Sequence, residues 1–200
     1  MIAPETTALI LLAAGKSTRF GLSDKLTAPF LGQPLGMHVV TALDAVPFAR
    51  RIVVKDGVEL DYAARGYEVV TNSQPEDGLS SSVRLGVQAA RGDGIEAVLI
   101  ALADMPRITA AQIHRLFDAA HGPDTVATSS DGTRPRPPVL FGAGRFDALE
   151  ELEGDVGARD MLLGGRHVVT NPDELIDVDT EEELAALRAR FDRYSSSKIT

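Results

Sequence analysis

The segment that most constrains this chain is the apolar run 8–13, followed at once by Ala14-Gly-Lys-Ser-Thr-Arg19. Six consecutive apolar residues bounded by a glycine read as a strand buried on both faces. That is the pattern of a parallel sheet covered by helices. Small residues after such a strand let the backbone approach a ligand closely. Successive N–H groups in the turn form an anion nest. Lys16, Arg19 and Lys25 place three cations within ten positions of one another.

Two familiar phosphate loops are excluded. Gly15-Lys16-Ser17 looks like the end of a Walker A loop, but that pattern needs glycine five residues earlier, where Ile10 stands. The dinucleotide-binding pattern begun at Gly15 needs glycines at positions held by Ser17 and Phe20. A different phosphate loop is the reading that remains.

The rest of the chain alternates strand and helix. Apolar runs predict strands at 8–13, 51–55, 67–71, 97–101, 125–128, 139–141, 167–170 and 176–178. Helices are predicted from residues 32–34 to about 46, over 58–65, 80–91 and 109–120, near 145–151 and 156–163, and from 180 to about 194. Residues 72–78 and 129–138 read as loops rich in turn residues. Thr180-Glu-Glu-Glu183 reads as a capping box. The alternation predicts a three-layer α/β/α sandwich with a mostly parallel sheet, and ligands in such sheets bind beyond the carboxyl ends of the strands.

With 200 residues, the expectation is one domain over 1–194 and a flexible polar tail over 195–200. The absence of cysteine excludes disulfides, thiolate metal sites and a cysteine nucleophile. A net charge of −9 argues against a nucleic-acid partner. No apolar run matches a secretory signal or a bilayer span, so a soluble, cytoplasmic protein with no membrane partner is expected.

Six ordered motifs resemble those of the MobA/MocA-like nucleotidyltransferases. Leu12-Ala-Ala-Gly-Lys-Ser-Thr-Arg-Phe-Gly21 with Lys25 matches LAAGxSxRFG…K. Pro34-Leu-Gly-Met-His38 resembles PLxxH, and Glu76-Asp-Gly-Leu-Ser-Ser-Ser-Val83 resembles EGLSSSL. Leu102-Ala-Asp-Met-Pro106 matches LxDMP, Gly154-Asp-Val-Gly-Ala-Arg159 matches GDxGAR, and Asp177-Val-Asp-Thr-Glu-Glu-Glu-Leu184 resembles DIDTPEDL. The resemblance implies a Rossmann-like three-layer α/β/α sandwich of the nucleotide-diphospho-sugar transferase type. Ala14, where the guanylyltransferase branch usually has glycine, makes the loop similar to the cytidylyltransferase branch. The implied reaction couples CTP to molybdopterin and releases pyrophosphate.

Such a reaction expels pyrophosphate from an α-phosphate, so catalysis is positioning and charge neutralisation. Lys25, Arg19 and Asp104 are the expected catalytic residues. Leu12, Ala13, Ala14, Gly15 and Lys16 would cradle the nucleotide together with Gly78, Ser80 and Ser82. Asp104 ends a buried strand and suits Mg²⁺, which takes oxygen ligands. Asp155 is the expected second ligand, with Asp177 and Asp179 competing; Asp179 is expected at the turn before the Thr180 cap. His38 is expected to pack or to stabilise its helix. Ser81, Arg134 and Arg136 are candidates for the acceptor.

One position departs from the resemblance. The family loop reads G-x-P-x-H-P, and aligned on Pro135 and Pro138, Thr133 replaces glycine and Pro137 replaces histidine. Proline brings no titratable or donor group, while Arg134 and Arg136 suit a phosphorylated acceptor. Three readings follow: cytidylyl transfer to molybdopterin; the same chemistry with GTP or with a sugar or polyol phosphate; or a non-catalytic nucleotide- or pterin-binding partner of a molybdenum enzyme.

Overall fold

The structure, a computed structural model, describes residues 1–14, 20, 24–153 and 162–196, the side chains of 192–196 excepted. The main sheet contains β1 (Thr7–Ala13), β4 (Arg50–Lys55), β5 (Glu68–Thr71), β6 (Ala97–Leu102), β7 (Val126–Ser130), β8 (Pro135–Gly142) and β9 (Arg166–Val169). A two-stranded hairpin holds β2 (Pro29–Phe30) and β3 (Gln33–Pro34). The helices are α1 (His38–Ala42), α2 (Leu79–Ala90), α3 (Ala110–Ala119), α4 (Phe146–Glu150) and α5 (Glu181–Ser196).

The strand order is β5-β4-β1-β6-β8-β7-β9. β8 runs antiparallel to both of its neighbours, and the other pairings are parallel. Every residue of β1 is buried. Its alternating side chains explain the uninterrupted apolar run. Leu9 and Leu11 join Val53, Leu99, Val40, Ile113 and Leu116 in one core. Ile10 and Leu12 point the other way, to Val54, Ile100, Val83 and Phe146. A strand with helices on both faces has no side left for polar residues.

The expected helix caps form. Thr109 Oγ1 accepts from Gln112 N at 3.2 Å. Glu183 N donates to Thr180 Oγ1 (3.1 Å) and Thr180 N to Glu183 Oε2 (3.0 Å), a reciprocal capping box.

Several local expectations are corrected. The helix predicted from residues 32–34 begins at His38. Leu31 (φ 45°) and Gly32 (φ 88°) instead make a tight hairpin turn, and Phe30 pairs with Gln33. Of the helix predicted over 58–65, a single 3₁₀ turn forms, Ala63–Arg65. Val58 and Tyr62 enter the core from irregular chain between two left-handed glycines, Gly57 and Gly66.

The loop predicted over 129–138 is largely strand, closed by Asp131, whose Oδ1 accepts from Thr133 N and Arg134 N at 2.8 Å each. The strand predicted at 176–178 is irregular, and Val178 N donates to Asp104 O at 3.0 Å. Most of the helix predicted over 156–163 lies outside the described residues. α5 extends to Ser196, and the rest of the predicted tail lies outside them too.

Gly86 shows how closely α2 rides on the sheet. A Cβ there would stand 2.5 Å from Ile10 Cγ2 and 3.3 Å from Val54 Cγ2. Gly86→Ala should cost about 1–3 kcal/mol through overpacking, read as a lower urea midpoint with an unchanged slope.

Candidate active site

The parallel strands bring their carboxyl ends to one edge. Ala13 lies beside Lys55, Lys55 beside Thr71, and Leu12 beside Leu102. Because β8 is antiparallel, its amino end, Pro135 and Arg136, lies at this same edge beside Ser129 and Ser130. Leu12, Ala13, Ala14, Asp104, Gly78, Arg134 and Arg136 are thus brought together from four separate stretches of chain.

Lys25 is the centre of the described site. It opens a 3₁₀ turn, Lys25–Thr27, that Asp24 caps by accepting from Leu26 N at 2.9 Å. Its Nζ lies 2.6 Å from Asp104 Oδ2 and 2.9 Å from Asp179 Oδ1. The side chains of Lys25 and Asp104 are 13% and 19% exposed, so this is a partly desolvated pair. Burial opposes the charge on Lys25, but Asp104 and then Asp179 outweigh it and raise its pKa above the ordinary value. Burial pushes the Asp104 carboxyl up, against the pull of Lys25.

Asp104 leaves one oxygen over. Oδ1 is buried and has no hydrogen-bond partner among the described residues. A buried carboxylate oxygen without a partner is costly unless a cation takes it, and a hard oxygen donor suits a divalent ion. Among the described residues, no three His, Asp or Glu side chains gather as a metal cage.

Asp179 does sit at the turn before the Thr180 cap, its N–H donating to Glu183 Oε2 at 2.7 Å. The same residue sends its carboxylate to Lys25. The cap motif in the sequence located the turn and gave no sign of that second role. α5 sets its position: Val178, Leu184 and Leu187 pack on Phe20, Phe30 and Leu35.

The start of α2 is built differently from a serine-capped helix. Gly78, at φ 83° and ψ −171°, is its N-cap, and no side chain caps it. Ser80, Ser81 and Ser82 are all buried. Asn72 Nδ2 donates to Ser81 Oγ and Ser82 Oγ at 2.9 Å each, and its Oδ1 accepts from Gln74 N. Ser81 Oγ donates to Gly78 O at 2.9 Å and Ser80 Oγ to Asp77 O at 3.4 Å. Sequence reasoning passed over Asn72; an asparagine directly after a strand was the available signal.

Pro137 and Pro138 form a bulge in β8, because Thr128 pairs with Val139 and Ser129 with Arg136. Two hydroxyls satisfy the carbonyls that the bulge displaces. Ser129 Oγ donates to Pro138 O at 2.8 Å and Thr128 Oγ1 to Arg136 O at 3.2 Å. Gln112 Nε2 holds Ser129 Oγ at 2.8 Å. Pro137 lines an apolar pocket with Leu12, Leu79, Val83 and Leu102. Arg136 meets Asp131 (3.5 Å) and Asp177 (3.3 Å), while Arg134 is exposed. Gly15, Lys16, Arg19 and Asp155 lie outside the described residues.

A partly buried ammonium thus sits between two carboxylates at the carboxyl edge of a Rossmann-like sheet. The fold is that of the nucleotidyltransferases. It superposes on a nucleotidyl transferase from Methanothermobacter with a TM-score of 0.77 at 25% identity, covering 94% of this chain and 99% of that one. Rv0371c of Mycobacterium tuberculosis shares the fold, with a TM-score of 0.77 at 24% identity over 94% of this chain and 100% of that one.

Residues 9–171 match the MobA-like NTP transferase domain, and the chain belongs to that family of nucleotidyltransferases. It is 31% identical to the purine catabolism protein PucB of Bacillus subtilis over 90% of this chain and 94% of that one. It is 29% identical to the probable molybdenum cofactor guanylyltransferase of Haloferax mediterranei, over 90% and 92%. A match to the bifunctional protein GlmU of Rhizorhabdus wittichii, 36% identical, covers 68% of this chain and 30% of that protein.

His38 is a structural residue, as its place on a helix suggested. Its Nε2 donates to Phe30 O at 2.7 Å and its ring lies 4.8 Å from that of Phe30, so it fastens the hairpin to α1. A carbonyl only accepts, which fixes the proton on Nε2. Burial lowers the His38 pKa below its ordinary value of 6.5, more than the Phe30 carbonyl raises it. The unfolded chain therefore takes up this proton first as pH falls, and stability drops from pH 6.5 downward through the lowered pKa. His38→Gln keeps a donor and removes the titration. Its urea midpoint should fall less than wild type over that window, with the pH dependence of the two coinciding above about pH 7.

Proposed function

We propose that the protein transfers a cytidylyl group from Mg²⁺-bound CTP to molybdopterin, a phosphorylated acceptor, and releases pyrophosphate. The observation that carries this reading is the Lys25 clamp with the unpartnered Asp104 Oδ1 beside it. In the reaction an acceptor phosphate oxygen bonds to the α-phosphorus, the bond from that phosphorus to the bridging oxygen breaks, and the bridging oxygen leaves on pyrophosphate. Negative charge accumulates on the leaving and non-bridging oxygens.

Lys25 faces that charge. Asp104 and Asp179 take two of its three N–H donors, and the third is directed to a phosphate oxygen. The two carboxylates keep the ammonium protonated and aimed. Asp104 Oδ1 would hold Mg²⁺, with Asp155 as the second protein ligand; the ion supplies charge neutralisation on the triphosphate. The Ala13–Ala14 backbone, Gly15, Lys16 and Arg19 receive the triphosphate. Gly78 and the start of α2, which Asn72 holds through Ser81 and Ser82, border the nucleoside. Arg134 and Arg136 meet the acceptor phosphate, and the apolar pocket at Pro137 receives an uncharged part of the acceptor.

Ala14 supports CTP. Likeness to the Haloferax protein favours a second reading, in which GTP is the donor. Pyrophosphate release measured with CTP, GTP, ATP and UTP, each with and without molybdopterin, separates them: release with CTP and molybdopterin is expected, and release with GTP alone among the four supports the second. Nucleotide binding with no release from any of the four would overturn both.

Asp104→Asn should lower turnover by at least about 100-fold and abolish its Mg²⁺ dependence, with the unfolding midpoint near wild type; retained turnover refutes the metal role. Lys25→Ala removes a charged donor and should weaken CTP binding by roughly ten- to hundred-fold in calorimetry. Unchanged affinity would refute the phosphate role.

A further inference from the structure

The Pro34-Leu-Gly-Met-His38 motif has a glycine at its centre. Gly36 lies buried in the 3₁₀ turn Leu35–Met37, which leads into α1. A Cβ on Gly36 would stand 2.8 Å from Tyr62 Oη, 3.0 Å from Leu60 Cδ1 and 3.1 Å from Leu26 Cβ. Leu60 Cδ1 is the tip of a flexible side chain and gives way at small cost. Leu26 Cβ is attached to the backbone, so it moves only if the Lys25–Thr27 turn moves.

That turn carries Lys25. Leu26 is its anchor, 5% exposed and packed in the same core as Tyr62, Val39, Val40 and Val58. The turn is tied to the segment bearing Gly36 by Leu35 N donating to Ala28 O at 2.9 Å. On the far side of Leu26, Lys25 Nζ sits 2.6 and 2.9 Å from its two carboxylates, distances that leave no slack. Tyr62 itself is fully buried, and its hydroxyl has no hydrogen-bond partner among the described residues. The hydroxyl occupies the space that a side chain at Gly36 would need.

We infer that Gly36 is a positioning residue for Lys25: the bare Cα at position 36, packed in the space that the Tyr62 hydroxyl leaves, lets Leu26 seat. A methyl at 36 meets the hydroxyl and Leu26 together, and the 25–27 turn shifts by a few tenths of an ångström. Misplacement of about 1 Å costs on the order of 100-fold in rate, so a shift of that smaller size costs roughly tenfold. The inference rests on the role given to Lys25 above, and it concerns the precision of that residue rather than its identity.

The test is a mutant cycle of Gly36→Ala, Tyr62→Phe and the double variant. Turnover is followed as pyrophosphate release from the nucleotide that wild type uses with molybdopterin. Gly36→Ala should lose roughly tenfold in kcat with a smaller change in nucleotide KM. Tyr62→Phe should stay within about twofold, because its hydroxyl makes no hydrogen bond to lose. The double variant should regain most of the kcat, since removing the hydroxyl lets the 35–37 turn back away from Leu26.

A second measurement needs no acceptor. The ¹⁵N-ammonium NMR signal of Lys25, assigned by its loss in Lys25→Arg, should move or broaden in Gly36→Ala and return in the double variant. Wild-type kcat and an unmoved signal in Gly36→Ala overturn the inference. So does a folded double variant that recovers neither. Should Gly36→Ala fail to fold, the double variant is compared with Tyr62→Phe, and a kcat more than about tenfold lower in the double overturns it equally. If Lys25→Ala abolishes turnover while Gly36→Ala does not impair it, positioning fails and the Lys25 role stands. If Lys25→Ala is fully active, it is the role that fails.

Discussion

The ion triad of Lys25, Asp104 and Asp179 is the constraint on which the catalytic end of the molecule depends. Its members are 79 and 154 residues apart from Lys25 in sequence. Each arrives on a different kind of support: a capped 3₁₀ turn, the end of a buried strand, and the residue before a helix cap. Partly desolvated charges are expensive unless their geometry is good and their remaining donors and acceptors are used. The triad meets the first condition. It leaves part of the second open, in the Asp104 Oδ1, which has no hydrogen-bond partner among the described residues, and the proposed function gives that oxygen to the metal.

The surrounding architecture keeps these supports still. β6 is flanked by β1 and β8, so Asp104 leaves a strand held on both sides. α5 packs Val178, Leu184 and Leu187 against the hairpin, which places Asp179. His38 fastens that hairpin to α1. On the other side, Asn72 joins the end of β5 to the first turn of α2 through two serine hydroxyls. The wall at Pro137 is a bulge whose displaced carbonyls are satisfied by Thr128 and Ser129. Most of this machinery is polar and internal, and it shapes the site without itself facing a substrate.

The chain resembles PucB, a probable molybdenum cofactor guanylyltransferase and part of GlmU alike. A shared fold with differently named proteins is expected where loops at one sheet edge carry the chemistry. In the proposed function the triad belongs to the part that handles phosphate. The same proposal gives the acceptor to the bulge at Pro137 and the apolar pocket beside it.

The sequence by itself determined the sandwich, most of the strands, the capping box and the Lys25 and Asp104 positions. Those features are written in local periodicity and in contiguous motifs, which physics reads over a few residues at a time. It misjudged the hairpin at Leu31–Gly32, the irregular chain through Val58 and Tyr62, and the strands around Pro135. Left-handed turns and side-chain-to-carbonyl bonds override propensity there, and neither leaves a periodic trace. Only the tertiary structure decided that Asp179 reaches Lys25, that Asn72 holds the serines of α2, and that a side chain on Gly36 would meet Tyr62 and Leu26. Each of these is a contact between groups distant in sequence, created by the packing of elements whose individual patterns carry no information about one another.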